Sequence, residues 1–488
     1  MHPPFSFKTV SLVGGFCLSS LSFSQLRVAT WNITNYTSGR ESAFQTAIFS
    51  AFSGRSFNPD VLVAQELKGA TGVANFLNIL NSAPGQAGQW AAATPYLSTG
   101  DTDSGMFYRV NKVSFEGLTN ITGDPRATQR YDFHLKGYGA GSTVNPEISY
   151  YSSHLKAGST TDDQARRLTE ATNIRANADA IGSTRQIMIG GDFNVRSSSE
   201  AFYQKLTKTA TVGQFFDPIN SSYTSGGGNI TWYNTTNYRF LHTQDPYGAG
   251  GMDDRDDFIL TGSSLRDGKG LEYIGSKTAA YSTTTWDDPN HSYRVWGNDG
   301  TSFNTTLTTT GNTMVGATIA QALRDSVGNP DPANVGGHLP VFMDVKIPAD
   351  LTDDKSVIDF GTVMLNTNNS QSLTVKNDVD ALVWGTAGVQ DLNYSFSLTG
   401  TGFFAPSGSF DLLAGESLQS LISIDTLTTG SKTATLNIFD NVTGQQRQVS
   451  LTGVVVVPEP TTLAGLALGL GVLLRRRKKK VVSRYPKG

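Results

Sequence analysis

The sequence predicts an α/β domain followed by a smaller all-β sandwich, and three observations predict it. From Gln25 to residue 346, short apolar runs that read as strands alternate with stretches of helical spacing. Beyond a Pro- and Asp-containing stretch, Ile347 to Asp354, helical spacing stops and only short alternating strands remain. The composition agrees: 38% hydrophobic, 16% charged and 51 Gly in 488 residues suit many short strands and turns better than long charged helices. A chain this long exceeds one ordinary domain. The expected division is 1–24 leader, 25–346 α/β domain, 347–356 linker, 357–455 β-sandwich, 456–480 apolar and basic segment, and 481–488 basic tail.

The leader has the grammar of a secretory signal peptide. Lys8 gives the first charge, Thr9 to Leu21 is an apolar core of export length, and Ser22-Phe23-Ser24 is a small-x-small cleavage site before Gln25. The only cysteine, Cys17, lies inside it behind Gly14-Gly15-Phe16, where a bulky Phe does not suit a lipoprotein cleavage box. A mature chain without cysteine excludes disulfides, thiolate metal sites and a Cys nucleophile together.

In the α/β region Leu26 to Trp31 is an alternating strand ending at Asn32, Ser42 to Phe52 has helical spacing, and Asp60 to Ala64 is an apolar strand ending at Gln65-Glu66. Gly105 to Val110 and Asp132 to Leu135 read as strands, and Ile148 to Ser153 as another, ending at His154. A helix opens at Thr161 with Asp162 and Asp163 in its first turn and runs through Ala176 or beyond. Ile187-Met188-Ile189 is a buried strand closed by two glycines and then Asp192-Phe193-Asn194, which sets a carboxylate and an amide at i and i+2 on the turn. Asp257 to Leu260 and Leu339 to Val345 complete the strands, and the polar stretch 262–334 is expected to be an excursion with strands of its own.

Net charge is −3, so nothing global advertises binding to nucleic acid or an acidic membrane. The charge is uneven: residues 350–457 carry eleven acidic and four basic residues, and the last fourteen carry eight Lys or Arg and no acid. The functional signal is positional instead. Asn32, Glu66, His154, Asp192, Asn194, Asp257 and His338 all lie at or beside the end of an apolar strand. Taken singly, each is a turn residue, a cap or an edge histidine. Collected on one sheet edge, they form a cleft.

Six stretches occur in one order: Thr30-Trp31-Asn32, Gln65-Glu66, His154-Leu155-Lys156-Ala157-Gly158, Gly191-Asp192-Phe193-Asn194, Arg255-Asp256-Asp257-Phe258-Ile259-Leu260 and Gly337-His338-Leu339-Pro340-Val341. In this the chain resembles the endonuclease/exonuclease/phosphatase superfamily typified by deoxyribonuclease I. The resemblance implies a four-layer α/β sandwich and a metal-dependent phosphodiesterase. Glu66 with Asn32 would hold Mg²⁺ or Mn²⁺, Asp192 would orient or deprotonate the attacking water, and Asn194 would bind a phosphoryl oxygen. His154 would hydrogen-bond the scissile phosphate, and His338, held by Asp257, would stabilise developing charge. The family carries Asp immediately before its last His, where this chain has Gly337. That departure opens a second reading, a surface or matrix-binding protein with weakened catalysis. It also leads to the expectation that Gly337→Asp raises turnover or metal affinity, provided the backbone there does not require positive φ. Asp256 departs too, so the partner of His338 is Asp257 or Asp256, with Asp257 preferred because Phe258-Ile259-Leu260 follows it.

The later strands, among them Ser372 to Asn377 and Val449 to Gly453, resemble immunoglobulin-like modules of bacterial surface proteins and carry no catalytic constellation. Val457-Pro458-Glu459-Pro460, the apolar run Leu463 to Leu474 and Arg475 to Lys480 are similar to the PEP-CTERM sorting signal, which implies an exosortase-type processing enzyme. The expectation is a secreted, surface-associated monomer at the cell envelope or extracellular matrix, acting on nucleic acid or, failing that, on phospholipid or another phosphate ester.

Overall fold

The computed structural model describes residues 25–457 apart from 99–100, 140–141, 143, 145–146, 183, 209, 222–231, 249 and 329–335. The leader 1–24, the Pro-Glu-Pro and apolar segment from 458 onward and the basic tail lie outside the described residues.

Two mixed sheets carry the first part of the chain. One runs, strand by strand, Glu272–Tyr273, Val341–Lys346, Leu26–Tyr36, Val61–Leu67, Asp103–Arg109 and Trp90–Ala92, with Arg294–Val295 also pairing with Val341–Lys346. The other runs Phe215–Phe216, Asp257–Gly262, Gln186–Asp192, Glu147–His154, Thr128–Leu135 and Val113–Ile121. Their inner faces meet. Val28, Val63, Met106, Ile148, Tyr150, Met188 and Ile259 are wholly buried, and hydrogen bonds cross between the sheets, among them Tyr150 Oη to Ala29 O (3.1 Å), Tyr131 Oη to Ser104 O (3.1 Å) and Gln65 Nε2 to Ser152 Oγ (3.0 Å). Helices Glu41–Phe49, Gly69–Ser82 and Gly316–Asp325 cover the first sheet, and Thr161–Ile181 with Ala201–Lys208 covers the second. This is the four-layer α/β sandwich the motif order implies.

The helix Gly69–Ser82 has no counterpart in the sequence reading. Two glycines in its first four residues read as a loop, whereas burial of Val73, Phe76, Ile79 and Leu80 on one face holds it as a helix. The long helix Thr161–Ile181 begins one residue after its cap. Thr160 accepts the Asp163 amide and Asp163 returns the bond, a reciprocal capping box. Among its described residues the 262–334 excursion holds two two-residue strands and, unexpectedly, the helix Gly316–Asp325, which buries Ile319, Ala320 and Leu323.

The remaining chain is a β-sandwich. Leu351–Asp353, Ser370–Asn377, Ser417–Ile424 and Phe403–Phe404 form one sheet, and Val357–Met364, Gln446–Val456, Gly430–Asp440, Leu392–Gly400 and Ser409–Leu412 the other. Leu373, Val375, Ile422, Leu436, Ile438, Val449 and Leu451 form its interior. Much of 347–356, expected as a linker, is built into the packing of both parts. Ile347 is fully buried in the first hydrophobic cluster and Ala349 and Leu351 in the sandwich interior, and Leu351 to Asp353 pairs with Asn377 to Val375. The two parts share a core at their junction, where Val379, Trp384 and Val389 join the first hydrophobic cluster. Trp384 donates its indole N–H to Lys136 O (2.7 Å) and lies under the Lys112 ammonium, 4.9 Å from the ring centre.

Candidate active site

Strand register assembles the site. Asp192 is the cross-strand neighbour of His154 on the parallel side and of Asp257 on the antiparallel side, so three of the expected residues stand in one row at the edge of the second sheet. In the facing sheet Asn32 is in register with Gln65, which brings Glu66 to the same edge. The turn after Asp192 is clamped by its middle residue. Phe193 is fully buried, stacks on Phe258 (4.0 Å between ring centres, 8° between planes), and donates its amide to Asp256 O (2.8 Å). With Phe193 turned into the helix layer, Asp192 and Asn194 turn into the cleft, as their i, i+2 spacing requires.

Asp192 is the hub. Its Oδ1 accepts the Asn194 amide (2.9 Å) and its Oδ2 accepts Asn32 Nδ2 (2.9 Å). Oδ2 also lies 3.5 Å from His154 Nε2 and 3.7 Å from His338 Nε2. Asn32 Nδ2 donates a second bond to Glu66 Oε1 (3.0 Å), while Glu66 Oε2 accepts the Asn35 amide (2.8 Å) and Asn32 Oδ1 the Thr34 amide (3.0 Å). Non-glycine residues in the left-handed region cluster here: Thr34, Asn35, Glu66 and Asn194 all have φ between 47° and 61°. His338 Nδ1 lies 2.6 Å from Asp257 Oδ2, and the Trp31 indole N–H holds the His338 carbonyl (2.9 Å). Asp257 is thus the histidine's partner. The Asp256 side chain is fully buried, and neither of its oxygens has a hydrogen-bond partner among the described residues.

Electrostatics separates the roles. Burial alone would raise the Asp192 carboxyl, but His338, His154 and two hydrogen bonds hold it below the usual carboxylate range, so it is ionised. Burial lowers His154, which is therefore neutral, and its Nδ1 has no partner among the described residues. His338 is buried as well, yet Asp257 and Asp192 hold its imidazolium well above the ordinary histidine range. Burial pushes the Asp257 carboxyl up to about 6 against the pull of His338, and drives Asp256 well above its normal value with Asp192 adding to the rise.

The donor set fits a hard divalent cation. Ligand atoms of Glu66, His154 and Asp192 fall within 4.8 Å of one another, and the two carboxylates supply most of the donors. Asn32 lies between these carboxylates, its amide nitrogen facing both.

Supporting residues escaped the sequence reading. Arg126 donates to the carbonyls of His154 (2.9 Å) and Leu155 (2.8 Å), and Asn194 Nδ2 also donates to Leu155 O (3.2 Å). Arg40 ties Thr34 O (3.0 Å) to the carbonyls of Ser326 (2.6 Å) and Val327 (2.9 Å). Arg40, bonded to carbonyls of segments remote in sequence, leaves no local signature, and neither does Arg126, which also pairs with Asp101 (3.0 Å). Gly337 explains itself in three dimensions. It is buried at φ +63°, and a Cβ there would stand 2.4 and 2.6 Å from the two methyls of Val327. The proviso attached to Gly337→Asp therefore fails. The variant is expected to lose about 2–4 kcal/mol of stability and to lower activity, read by denaturant unfolding beside a turnover assay. A Gly337→Asp protein as stable as wild type would contradict this.

Residues 456–478 match the family model of the PEP-CTERM protein-sorting motif. No curated protein matches the chain. Among solved structures, the chain is similar to the human Nocturnin catalytic domain with bound sulfate anion, at 14% identity over 66% of this chain and 95% of that one, with a TM-score of 0.36. It is also similar to truncated Caenorhabditis elegans TDP2, at 13% identity over 66% and 97% with a TM-score of 0.37. A third similarity is to the ASH / PapD-like domain 7 of human CEP192, at 13% identity over 22% and 87% with a TM-score of 0.19.

Proposed function

We propose that this protein is an exported, metal-dependent phosphodiesterase, with nucleic acid as its first substrate class, whose catalytic unit is 25–346. One observation carries the reading: a buried carboxylate, Asp192, lies within 3.7 Å of two histidines, one of them held by Asp257, and is bonded to Asn32 and Asn194. A phosphodiester is anionic and repels a nucleophile, so its hydrolysis needs a base for water and donors for phosphoryl oxygens in one cleft.

Glu66 would hold Mg²⁺ or Mn²⁺, joined by Asn32 through Oδ1 once its side-chain amide, whose nitrogen faces the two carboxylates here, is turned over; the ion when bound would offset the negative charge of the phosphodiester. Asp192 orients the attacking water and takes its proton as the new P–O bond forms. Neutral His154 donates to a phosphoryl oxygen, and Asn194 holds a second. The imidazolium of His338, fixed by Asp257, faces the charge that develops as the leaving oxygen separates. The sorting motif is read as a substrate for an exosortase-type enzyme that leaves the protein at the cell surface.

The deciding experiment is a panel of DNA, RNA, sphingomyelin and inositol phosphates presented to the full chain with Mg²⁺, with Mn²⁺ and with excess chelator. Turnover is expected with either ion and none in chelator, and full turnover in chelator would sink the reading. Glu66→Gln is expected to raise the metal concentration for half-activity by about tenfold or more, because one ligand loses its charge. An unchanged metal dependence would remove Glu66 from the site.

A further inference from the structure

The parallel ladder between the strands Glu147–His154 and Gln186–Asp192 ends where the site begins, with Leu155 N donating to Asp192 O (3.0 Å). Beyond that bond a buried ion pair outside every motif, Arg167 with Glu200, links the two turns. Arg167 Nη1 donates to Lys156 O (2.6 Å) and Gly158 O (2.8 Å), on the chain leaving His154. Its Nε donates to Glu200 Oε1 (2.6 Å), and Glu200 Oε2 accepts the Arg196 amide (3.0 Å), on the chain leaving Asn194. The guanidinium carbon also lies 5.9 Å from the centre of the Phe202 ring, which stacks on Phe193 at 6.3 Å. Phe193 is the residue between Asp192 and Asn194. Neighbours on the same helix face share the grip: one turn earlier Asp163 pairs with Lys156 Nζ (2.7 Å), and one turn later Glu170 accepts the Lys156 amide (3.1 Å).

We propose that Arg167 and Glu200 are a positioning pair of this site, whose ion pair fixes the spacing between the turn that carries His154 and the turn that carries Asp192 and Asn194. The inference rests on the reading of His154 and Asn194 as donors to two phosphoryl oxygens, whose separation this spacing sets. The pair acts through backbone: the arginine satisfies two carbonyls of one turn while its partner satisfies an amide of the other. Charge makes these bonds short and directional. Two well-packed apolar side chains could fill the same space at similar stability, but they could not bond two carbonyls and an amide. Stability alone therefore does not account for charges at 167 and 200, and the hold on the two turns does.

The test, in the full chain, separates position from stability by reading urea unfolding, phosphodiester turnover and amide hydrogen exchange together. Arg167→Met and Glu200→Leu each strand a buried charge, and the unfolding midpoint is expected to fall in both. The double variant Arg167→Met/Glu200→Leu strands none, and its midpoint should return most of the way to wild type. Turnover should not return: kcat is expected to stay about 10–100-fold down, with KM within about threefold of wild type. Exchange of the Leu155 and Arg196 amides should speed up about tenfold or more, while Met188 and Ile189 in the strand keep their protection. A folded double variant with wild-type exchange in both turns overturns the proposal. If the double variant does not fold, Arg167→Lys decides. An ammonium keeps the charge but not the fork that reaches a carboxylate and two carbonyls, so kcat should fall about tenfold, and wild-type kcat and exchange in that variant overturn the proposal. Faster exchange in both turns of a protein inert on every phosphodiester keeps the pair and discards the phosphodiesterase. An active double variant with unchanged kcat does the opposite.

Discussion

His338→Ala is expected to lower phosphodiester turnover by about 10²–10³-fold, the usual result of removing one preorganised donor from developing charge. The substitution removes an imidazolium within reach of Asp192 and the partner of Asp257 in one step. Fold is expected to survive, because Asp257, already pushed up to about 6 by burial, takes a proton when its cationic partner is gone. The stability change carries a pH signature. His338 titrates higher folded than unfolded, so its contribution is complete below about pH 6.5 and fades as the pH rises through the raised folded value. The deficit of His338→Ala should therefore be largest in mild acid and shrink in base. A deficit that grows with pH would show that the buried imidazole is neutral.

Trp384→Ala is expected to cost about 3–5 kcal/mol. This side chain belongs to the β-sandwich by sequence and to the α/β core by packing. It is wholly buried, bonded to Lys136 O, and capped by the Lys112 ammonium, and a Cβ at Gly137 would stand 2.9 Å from its indole nitrogen. Truncation leaves an indole-sized void bordered by Lys112 and Lys136. Urea unfolding should show the loss as a lower midpoint of one transition. A loss confined to a separate sandwich transition would show that the two parts fold independently. A fragment ending at residue 346 lacks the same side chain and is expected to be less stable than the full chain.

The cleft was legible because each of its residues stands at or beside one end of an apolar run, and a strand's end is a place that sequence marks. Asp192, His154 and Asp257 need only strand pairing to become neighbours, and pairing follows from the runs themselves. What the sequence hid depends on separation or on backbone angle. Trp384 meets Lys136 across 248 residues, and Arg40 meets Ser326 across 286. Gly337 read as a missing carboxylate because neither its φ nor the nearness of Val327 is written locally. The stretch 347–356 looked like a linker because proline and aspartate mask the alternation that buries Ile347, Ala349 and Leu351.

The junction at Trp384 lies apart from both the cleft and the last described strand end. Lys136 and Gly137 follow Leu135, and the strand Thr128–Leu135 meets Ser152 near its start and Glu147 at its other end. The β-sandwich therefore docks about 25 Å from the edge that carries His154. Within the sandwich, Gln445 and Arg447 bond to Ala349 and Leu351 at the junction, while Val456 ends the same strand about 35 Å further on. The junction is thus separated from the edge that carries His154 by the length of one strand, and from Val456 by the length of another.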